Sequence, residues 1–580
     1  MNLLVLILAA VLAPAADAKA ARPPVMRGVA VPMRDGVSLS ADVLRPAESG
    51  RFPTLVHRTP YDRKPMETDP IVQRALDRGY AVVLQDVRGR YGSPGEFVPY
   101  RNEGRDGYDT IEWAASQPWS NGEVGTFGLS YPGAVQWLAA VESPPHLKAI
   151  VPAMTFSSPR NFFYAGGAWD LSWLPWIWNN VAPDARARRG LDGPRTRWEA
   201  RAAWKNLSAD IPFRTPLSRV PELEKVAPYY FDWLAHRPWD SWWDWAELRG
   251  RYARVTAAVL NVSGWHDESY GPEGATTNFA GLLAARGGEA DPRARLVIGP
   301  WVHGGLESDR SGERVFGPEA KVDESSLVLD FLDRYLRGVG ETSKEEPRVR
   351  VYVMGENRWL SGNTWPLSGT QSVSLYLAPG RKLARAPADG EVPPSRFVSD
   401  PGRPIVDPHG AAYGAHDYRA LASRKDVLVF ETEPLPAELR VVGPIETEIH
   451  LSSDAPDLDL WVKLEDVAPD GTAWNLSSPG TDVLRASERD GREGELLKPG
   501  EVATIRLPNL RTGNRFAKGH RVRVVLCGSF LPHFSRNPQS GESETRSAAM
   551  RRAVVSIHHD GRYPSRIVLP VVPDSPAAAR

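Results

Sequence analysis

A chain of 580 residues is longer than one hydrophobic core serves, so two or three domains are expected. Its 70 Lys and Arg against 71 Asp and Glu leave no basic surplus to neutralise a phosphate backbone, which argues against nucleic acid as a partner. One cysteine, Cys527, excludes an intramolecular disulfide and any multi-cysteine metal site, and no metal or cofactor is expected.

The first predicted element is the apolar run Leu3 to Leu12, followed by Ala16-Asp17-Ala18, a small-x-small cleavage pattern. It reads as a signal peptide over residues 1–18, which makes the protein secreted or periplasmic, with no integral membrane segment in the mature chain. From Arg27 onward, apolar strands alternate with amphipathic helices: Thr54-Leu55-Val56, a helix, Ala81 to Gln85, a second helix, then Val124 to Phe127. Asp69 is placed to cap the first helix, Pro70 to open it and Gly79 to end it. The pattern implies a mainly parallel sheet in an α/β domain over residues 27–154, resuming over 253–345 at Ala258 to Val262 and Leu296 to Ile298.

The intervening stretch, residues 155–252, holds eleven of the 20 tryptophans and lacks strand runs. It reads as an inserted helical cap over an apolar pocket. Most of its tryptophans are expected to fill the cap core; Trp169 and Trp173, with Trp265 outside the cap, are the candidates to touch substrate. Beyond Gly340 the texture becomes alternating strands, among them Val349 to Val353, Val373 to Leu377, Glu446 to Leu451 and Val522 to Leu526, divided by Pro, Gly, Asp and Ser. This predicts a jelly-roll β-sandwich over residues 346–575. Cys527 reads as a buried member of one of its strands.

The chemistry begins at Gly128-Leu129-Ser130-Tyr131-Pro132-Gly133, which puts a serine between a buried strand and a helix, the geometry of a nucleophile elbow. A glycine-x-serine with a glycine at one fixed offset arises by chance roughly 0.2 times in a chain this long, so the partners carry the weight. A nucleophilic serine needs a base and a carboxylate to orient that base, following it in the order Ser, Asp, His on loops after successive strands. Asp267, in Gly264-Trp265-His266-Asp267, and His303, in Gly299-Pro300-Trp301-Val302-His303-Gly304, meet that demand, with His266 the competing base. For the oxyanion, the Tyr131 N–H is one donor, and the His57 to Arg63 loop supplies Tyr61, readable as a donor or as a packed ring.

These segments, with Thr59-Pro60-Tyr61-Asp62, Gln85-Asp86-Val87-Arg88-Gly89-Arg90, Asp457 to Leu464 and Ser529 to Pro538, resemble the family of cocaine esterase, α-amino-acid ester hydrolases and X-Pro dipeptidyl-peptidases, in the same order over nearly the whole mature chain. The resemblance implies Ser130 as nucleophile, Asp267 and His303 as its partners, and the Tyr61 hydroxyl with the Tyr131 N–H as oxyanion hole. It also explains the extra residue in the elbow. In the α-amino-acid branch, carboxylates stand two and three residues after the orienting aspartate; here those positions are Ser269 and Tyr270, and Glu268 is at another offset. The cap stretch Gly166-Gly167-Ala168-Trp169 also lacks the acid that this branch carries there. The segment before Arg27 is short for the extra domain of X-Pro dipeptidyl-peptidases.

The expectation is therefore a serine hydrolase of small-molecule carboxylic esters, with amides as further substrates. The alternatives are an X-Pro dipeptidyl-peptidase, an α-amino-acid ester hydrolase or β-lactam acylase, and a non-catalytic carbohydrate-binding jelly-roll protein. Oligomeric state stays open, a homo-oligomer being compatible with the extended interfaces that β-domains of this family offer.

Overall fold

The computed structural model describes residues 24–268, 270–288, 291–340, 346–477 and 481–573. The expected signal peptide lies outside the described residues, as does Ser269.

The first half is built in alternation. β1 (Val25–Pro32), β2 (Ser38–Leu44) and β3 (Phe52–Thr59) lead to α1 (Pro70–Asp77), then β4 (Ala81–Asp86), α2 (Glu103–Ser116), β5 (Ser120–Leu129), α3 (Tyr131–Ala140) and β6 (Leu147–Ala153). Asp69 caps α1 as the sequence predicts, accepting the Ile71 N–H at 3.0 Å, with Pro70 in the first turn. After the cap come β9 (Ala258–His266), α9 (Tyr270–Ala285), β10 (Ala294–Val302), α10 (Glu324–Leu336), β13 (Val349–Val353) and β14 (Arg358–Gly362). Between β10 and α10 lies a small hairpin, β11 (Arg310–Ser311) and β12 (Arg314–Val315).

Among the described residues these strands form one ten-stranded sheet in the order β1-β2-β4-β3-β5-β6-β9-β10-β13-β14. The run from β4 to β13 is parallel, and the two edges are antiparallel. A parallel sheet covered on both faces needs strands apolar on both sides, and β4, buried at all six positions, is such a strand. α1 and α10 cover one face through Ile71, Val72, Leu329 and Leu332. α2, α3 and α9 cover the other through Ile111, Trp137, Leu138 and Phe279. Parallel pairing also brings the C-terminal ends of β3, β5, β9 and β10 to one edge, where loops carrying chemistry gather.

The cap between β6 and β9 is a set of short helices, α4 (Trp173–Trp176), α5 (Ala182–Arg189), α6 (Arg197–Leu207), α7 (Pro221–Glu224) and α8 (Tyr229–Ala235), with a two-residue strand pair, β7 (Tyr164–Ala165) and β8 (Ala168–Trp169). Its core is aromatic: Phe163 lies within 4.6–4.8 Å of the rings of Trp173, Trp233 and Trp243.

One expectation is corrected. The strand Val349–Val353, expected in the C-terminal β-region, pairs in parallel with β10 and belongs to the first sheet. Its alternation reads the same in either setting; only its partner decides. Among the described residues the second sheet begins at Gln371–Ala378 and has twelve strands, mostly antiparallel, the longest being Leu439–Ser453 paired with Ala503–Phe516. Cys527 is buried at the end of Arg521–Cys527.

Candidate active site

β5 runs into α3 through a single strained residue. Ser130 has φ 68° and ψ −125°, a conformation costing about 1–3 kcal/mol for a residue with a Cβ. The turn is over-determined. The Ser130 N–H donates to the Ala153 carbonyl at 2.9 Å, and the Ser130 carbonyl accepts from the N–H groups of Gly133 and Ala134, each at 2.9 Å. Gly128 has φ 143°, and a Cβ there would lie 2.5 Å from the Pro132 Cβ. A Cβ at Gly133 would lie 2.6 Å from the Ala153 oxygen. The second glycine thus falls three residues after the serine because that is where α3 crosses the end of β6.

β9 and β10 deliver the partners. Asp267, fully buried, follows β9, and His303, a quarter exposed, follows β10; His303 Nδ1 is 2.6 Å from Asp267 Oδ1. Asp267 Oδ2 accepts from the Ser263 hydroxyl at 3.1 Å and Oδ1 from the Glu268 N–H at 2.8 Å, so the carboxylate is held on both oxygens. Burial pulls the His303 pKa down, but the charge and hydrogen bond of Asp267, with Glu268 adding, outweigh it and raise the pKa to about 9. The competing base, His266, is fully buried, and burial depresses its pKa to about 3. Its ring sits near Phe316, away from the cavity that holds Ser130.

Two donors stand by the serine. Tyr131 is the first residue of α3, so its N–H has no intrahelical carbonyl. Its side chain is anchored: the phenol donates to Glu103 Oε1 at 2.8 Å and accepts from the Tyr100 N–H at 2.9 Å, and Glu103 is paired with Arg58 at 2.9 Å. Tyr61, on the loop after β3, has its hydroxyl between the Trp176 indole N–H, which donates to it at 2.9 Å, and the Ser130 side chain. Arg197 closes over the Tyr61 ring at 5.2 Å and donates to the Tyr61 carbonyl at 3.2 Å. Burial raises the Tyr61 pKa, which keeps the phenol a donor.

Ser130, His303 and Tyr61 open onto one cavity of about 810 Å³, walled by Phe162, Trp173, Trp176, Leu129 and Val328. Of the three substrate-contact candidates, Trp173 lines it. Trp169 and Trp265 do not, a correction with a clear cause. Trp169 is fully buried because its strand is stitched to the C-terminal domain, with the Ser535 N–H donating to the Trp169 carbonyl at 2.7 Å. Trp265 is pinned by its indole N–H on the Tyr352 carbonyl at 2.7 Å. Trp176, one turn beyond Trp173, was missed, although the three-residue spacing was visible.

Glu268 was also undervalued. It lines the cavity beside His303, and burial raises its pKa. Asp170, one residue past the cap stretch read as acid-free, is buried, and burial raises its pKa to about 7, with Glu268 contributing. The Arg58–Glu103–Tyr131 chain joins residues far apart in sequence and carried no local signal. A strained serine, a histidine oriented by a buried carboxylate and two donors beside the serine are what acyl transfer needs.

The chain matches the X-Pro dipeptidyl-peptidase (S15) family over residues 35–305 and the X-Pro dipeptidyl-peptidase C-terminal non-catalytic domain over residues 341–568. It is 33% identical over 585 aligned residues to the cocaine esterase of Rhodococcus sp. (strain MB1 Bresler), covering 94% of this chain and 98% of that one. Among solved structures it is similar to an aminopeptidase from a marine sediment archaeon, Thaumarchaeota archaeon, with TM-score 0.80, 25% identity and coverage of 97% and 99%. It also shares its fold with an α-amino acid ester hydrolase, with TM-score 0.79, 24% identity and coverage of 97% and 98%.

Proposed function

The chain belongs to the family of cocaine esterase and the X-Pro dipeptidyl-peptidases and is a serine ester hydrolase, and on that premise we propose that Ser130 is the nucleophile, His303 its base and Asp267 the carboxylate that orients the base. The observation that carries this reading is the 2.6 Å hydrogen bond between His303 Nδ1 and buried Asp267, opening onto the same cavity as the strained Ser130.

The steps follow from the geometry. His303 Nε2 takes the Ser130 proton as Oγ attacks the ester carbonyl, and the oxyanion is held by the Tyr61 hydroxyl and the Tyr131 N–H. The tetrahedral species collapses to acyl-Ser130, and the departing alkoxide takes the proton from His303. A water deprotonated by the same histidine attacks the acyl-enzyme and releases the acid. Asp267 orients the imidazole and favours the imidazolium that forms in each half. The apolar, tryptophan-walled cavity favours esters with bulky apolar groups. Replacing Ser130 by alanine is expected to abolish turnover of a p-nitrophenyl ester in a protein with unchanged circular dichroism; retained turnover refutes the assignment.

One observation favours a second reading. Glu268 offers a carboxylate to the cavity, where a substrate ammonium would find a partner. Faster hydrolysis of esters bearing a free α-amine than of their N-blocked forms supports that branch, and the reverse preference supports the simple acyl esterase.

No helix among the described residues is long and apolar enough to cross a membrane. The apolar residues 3–12 and the Ala16-Asp17-Ala18 pattern support export as the cellular setting, to be read by sequencing the N-terminus of the mature protein.

A further inference from the structure

Away from the cavity, a carboxylate and two imidazoles meet where the segment after His303 touches the C-terminal domain. Glu313 sits in the turn between β11 and β12, while His409 and His416 lie on a loop of the C-terminal region. The backbones are already joined. Gly312 bridges Ala415, the Glu313 N–H donates to the Ala415 carbonyl at 2.8 Å, and the Ala415 N–H donates to the Ser311 carbonyl at 3.2 Å. A Cβ on Gly312, at φ +60°, would lie 2.5 Å from the Ala415 oxygen.

Hydrogen bonding fixes the tautomer of both rings. His409 Nε2 lies 3.0 Å from the Asp417 carbonyl oxygen, and His416 Nε2 lies 3.3 Å from the Tyr413 carbonyl oxygen. A carbonyl only accepts, so Nε2 is the donor in each ring, and in a neutral ring Nδ1 is then the nitrogen that presents a lone pair. Both lone pairs belong to one group of donor atoms: Glu313 Oε1 is 3.9 Å from His409 Nδ1 and 3.7 Å from His416 Nδ1, and the three ligand atoms lie within 4.8 Å of one another. His416 is 8% exposed, and its Nδ1 is buried with no hydrogen-bond partner, which leaves that nitrogen free to take a ligand. The other Glu313 oxygen accepts the Asp417 N–H at 3.2 Å, which aims the carboxylate. The neighbouring cation, Arg314, is held over the rings of Phe316 and Trp474.

We propose that Glu313, His409 and His416 form a binding site for a zinc-class divalent transition metal, with water in the fourth position, that pins the segment following His303 to the C-terminal domain. Two neutral imidazoles and one carboxylate suit such an ion better than calcium or magnesium, which take oxygen ligands. Metal–ligand bonds of ~2.0–2.1 Å in a tetrahedron put donor atoms ~3.3 Å apart; the half-exposed Glu313 has room to close on both nitrogens, and one of the two near-parallel rings, 4.5 Å apart between centroids, must turn for both lone pairs to meet the ion.

The test uses the full chain stripped with a chelator and titrated with Zn²⁺ by calorimetry and with Co²⁺ by visible absorption. One equivalent is expected to bind, giving the intense visible bands of four-coordinate cobalt and a higher thermal midpoint with Zn²⁺. The double variant His409→Ala/His416→Ala is expected to lose all three signals. Glu313→Gln, at an exposed side chain that leaves the fold intact, is expected to weaken Zn²⁺ binding by more than about tenfold while ester hydrolysis by the metal-free protein is unchanged. Absence of saturable one-equivalent binding, or binding that survives in both the double variant and Glu313→Gln, overturns the proposal.

Discussion

At the scale of single residues, Ser130 is poised by what flanks it. Gly133→Ala puts a methyl 2.6 Å from the Ala153 oxygen, and neither backbone can yield without moving the elbow. Ester turnover should fall in this variant together with thermal stability, by about 1–3 kcal/mol, as for other overpacked positions. Tyr61→Phe removes one of the two proposed oxyanion donors and should lower kcat by about a hundredfold or more with little change in KM; a variant within twofold of wild type would make Tyr61 a packing residue. With His303 as the proposed base, its raised pKa is expected to govern the pH profile. The base must be neutral to accept the Ser130 proton, so kcat/KM is expected to rise with pH through neutrality towards about 9. Glu268 favours the imidazolium, so Glu268→Gln should shift that rising limb to lower pH; an unmoved limb contradicts the assigned coupling. The meeting of Ser130, Asp267 and His303 at one end of the sheet was legible because each sits in a short local pattern at a strand end. Trp169 and Trp265 misled because spacing places a ring on an element without saying what that element packs against. Glu103, which anchors Tyr131 from 28 residues away, gave no signal at all.

At the scale of elements, caps and apolar runs were readable and pairing partners were not. α1 follows its cap and proline, and β4 follows its unbroken apolar run. β13 was placed in the wrong sheet because an alternating strand carries no record of the strand it joins. The cap shows how a small element can tune the site. α6 opens with a reciprocal capping box between Thr196 and Glu199, and its first residue, Arg197, holds Tyr61. Thr196→Ala removes one half of that box, worth about 1 kcal/mol, so amides of α6 should exchange roughly fivefold faster with solvent. Unchanged exchange would mean that packing alone holds the helix.

At the scale of the whole molecule, change of texture along the chain revealed the α/β half, the cap and the β-rich half, while their mutual clamping was invisible. The cap is held by the C-terminal domain: the Arg485 N–H donates to the Gly166 carbonyl at 2.7 Å, and a Cβ at Gly166 would lie 1.8 Å from the Val483 oxygen. Beneath that contact, buried Arg485 pairs with Asp459 at 2.9 Å and Glu544 at 2.8 Å. Arg485→Ala would strand two buried carboxylates and should destabilise the protein by roughly 3–5 kcal/mol in denaturant unfolding, loosening the cap with it. Within this frame segments distant in sequence are brought to one serine. The most direct test of its role is peptide mapping after reaction with a fluorophosphonate probe. A single adduct on Ser130 is expected, formed in step with the loss of ester turnover and absent from Ser130→Ala; an adduct on another residue, or full turnover with Ser130 blocked, would refute Ser130 as the nucleophile.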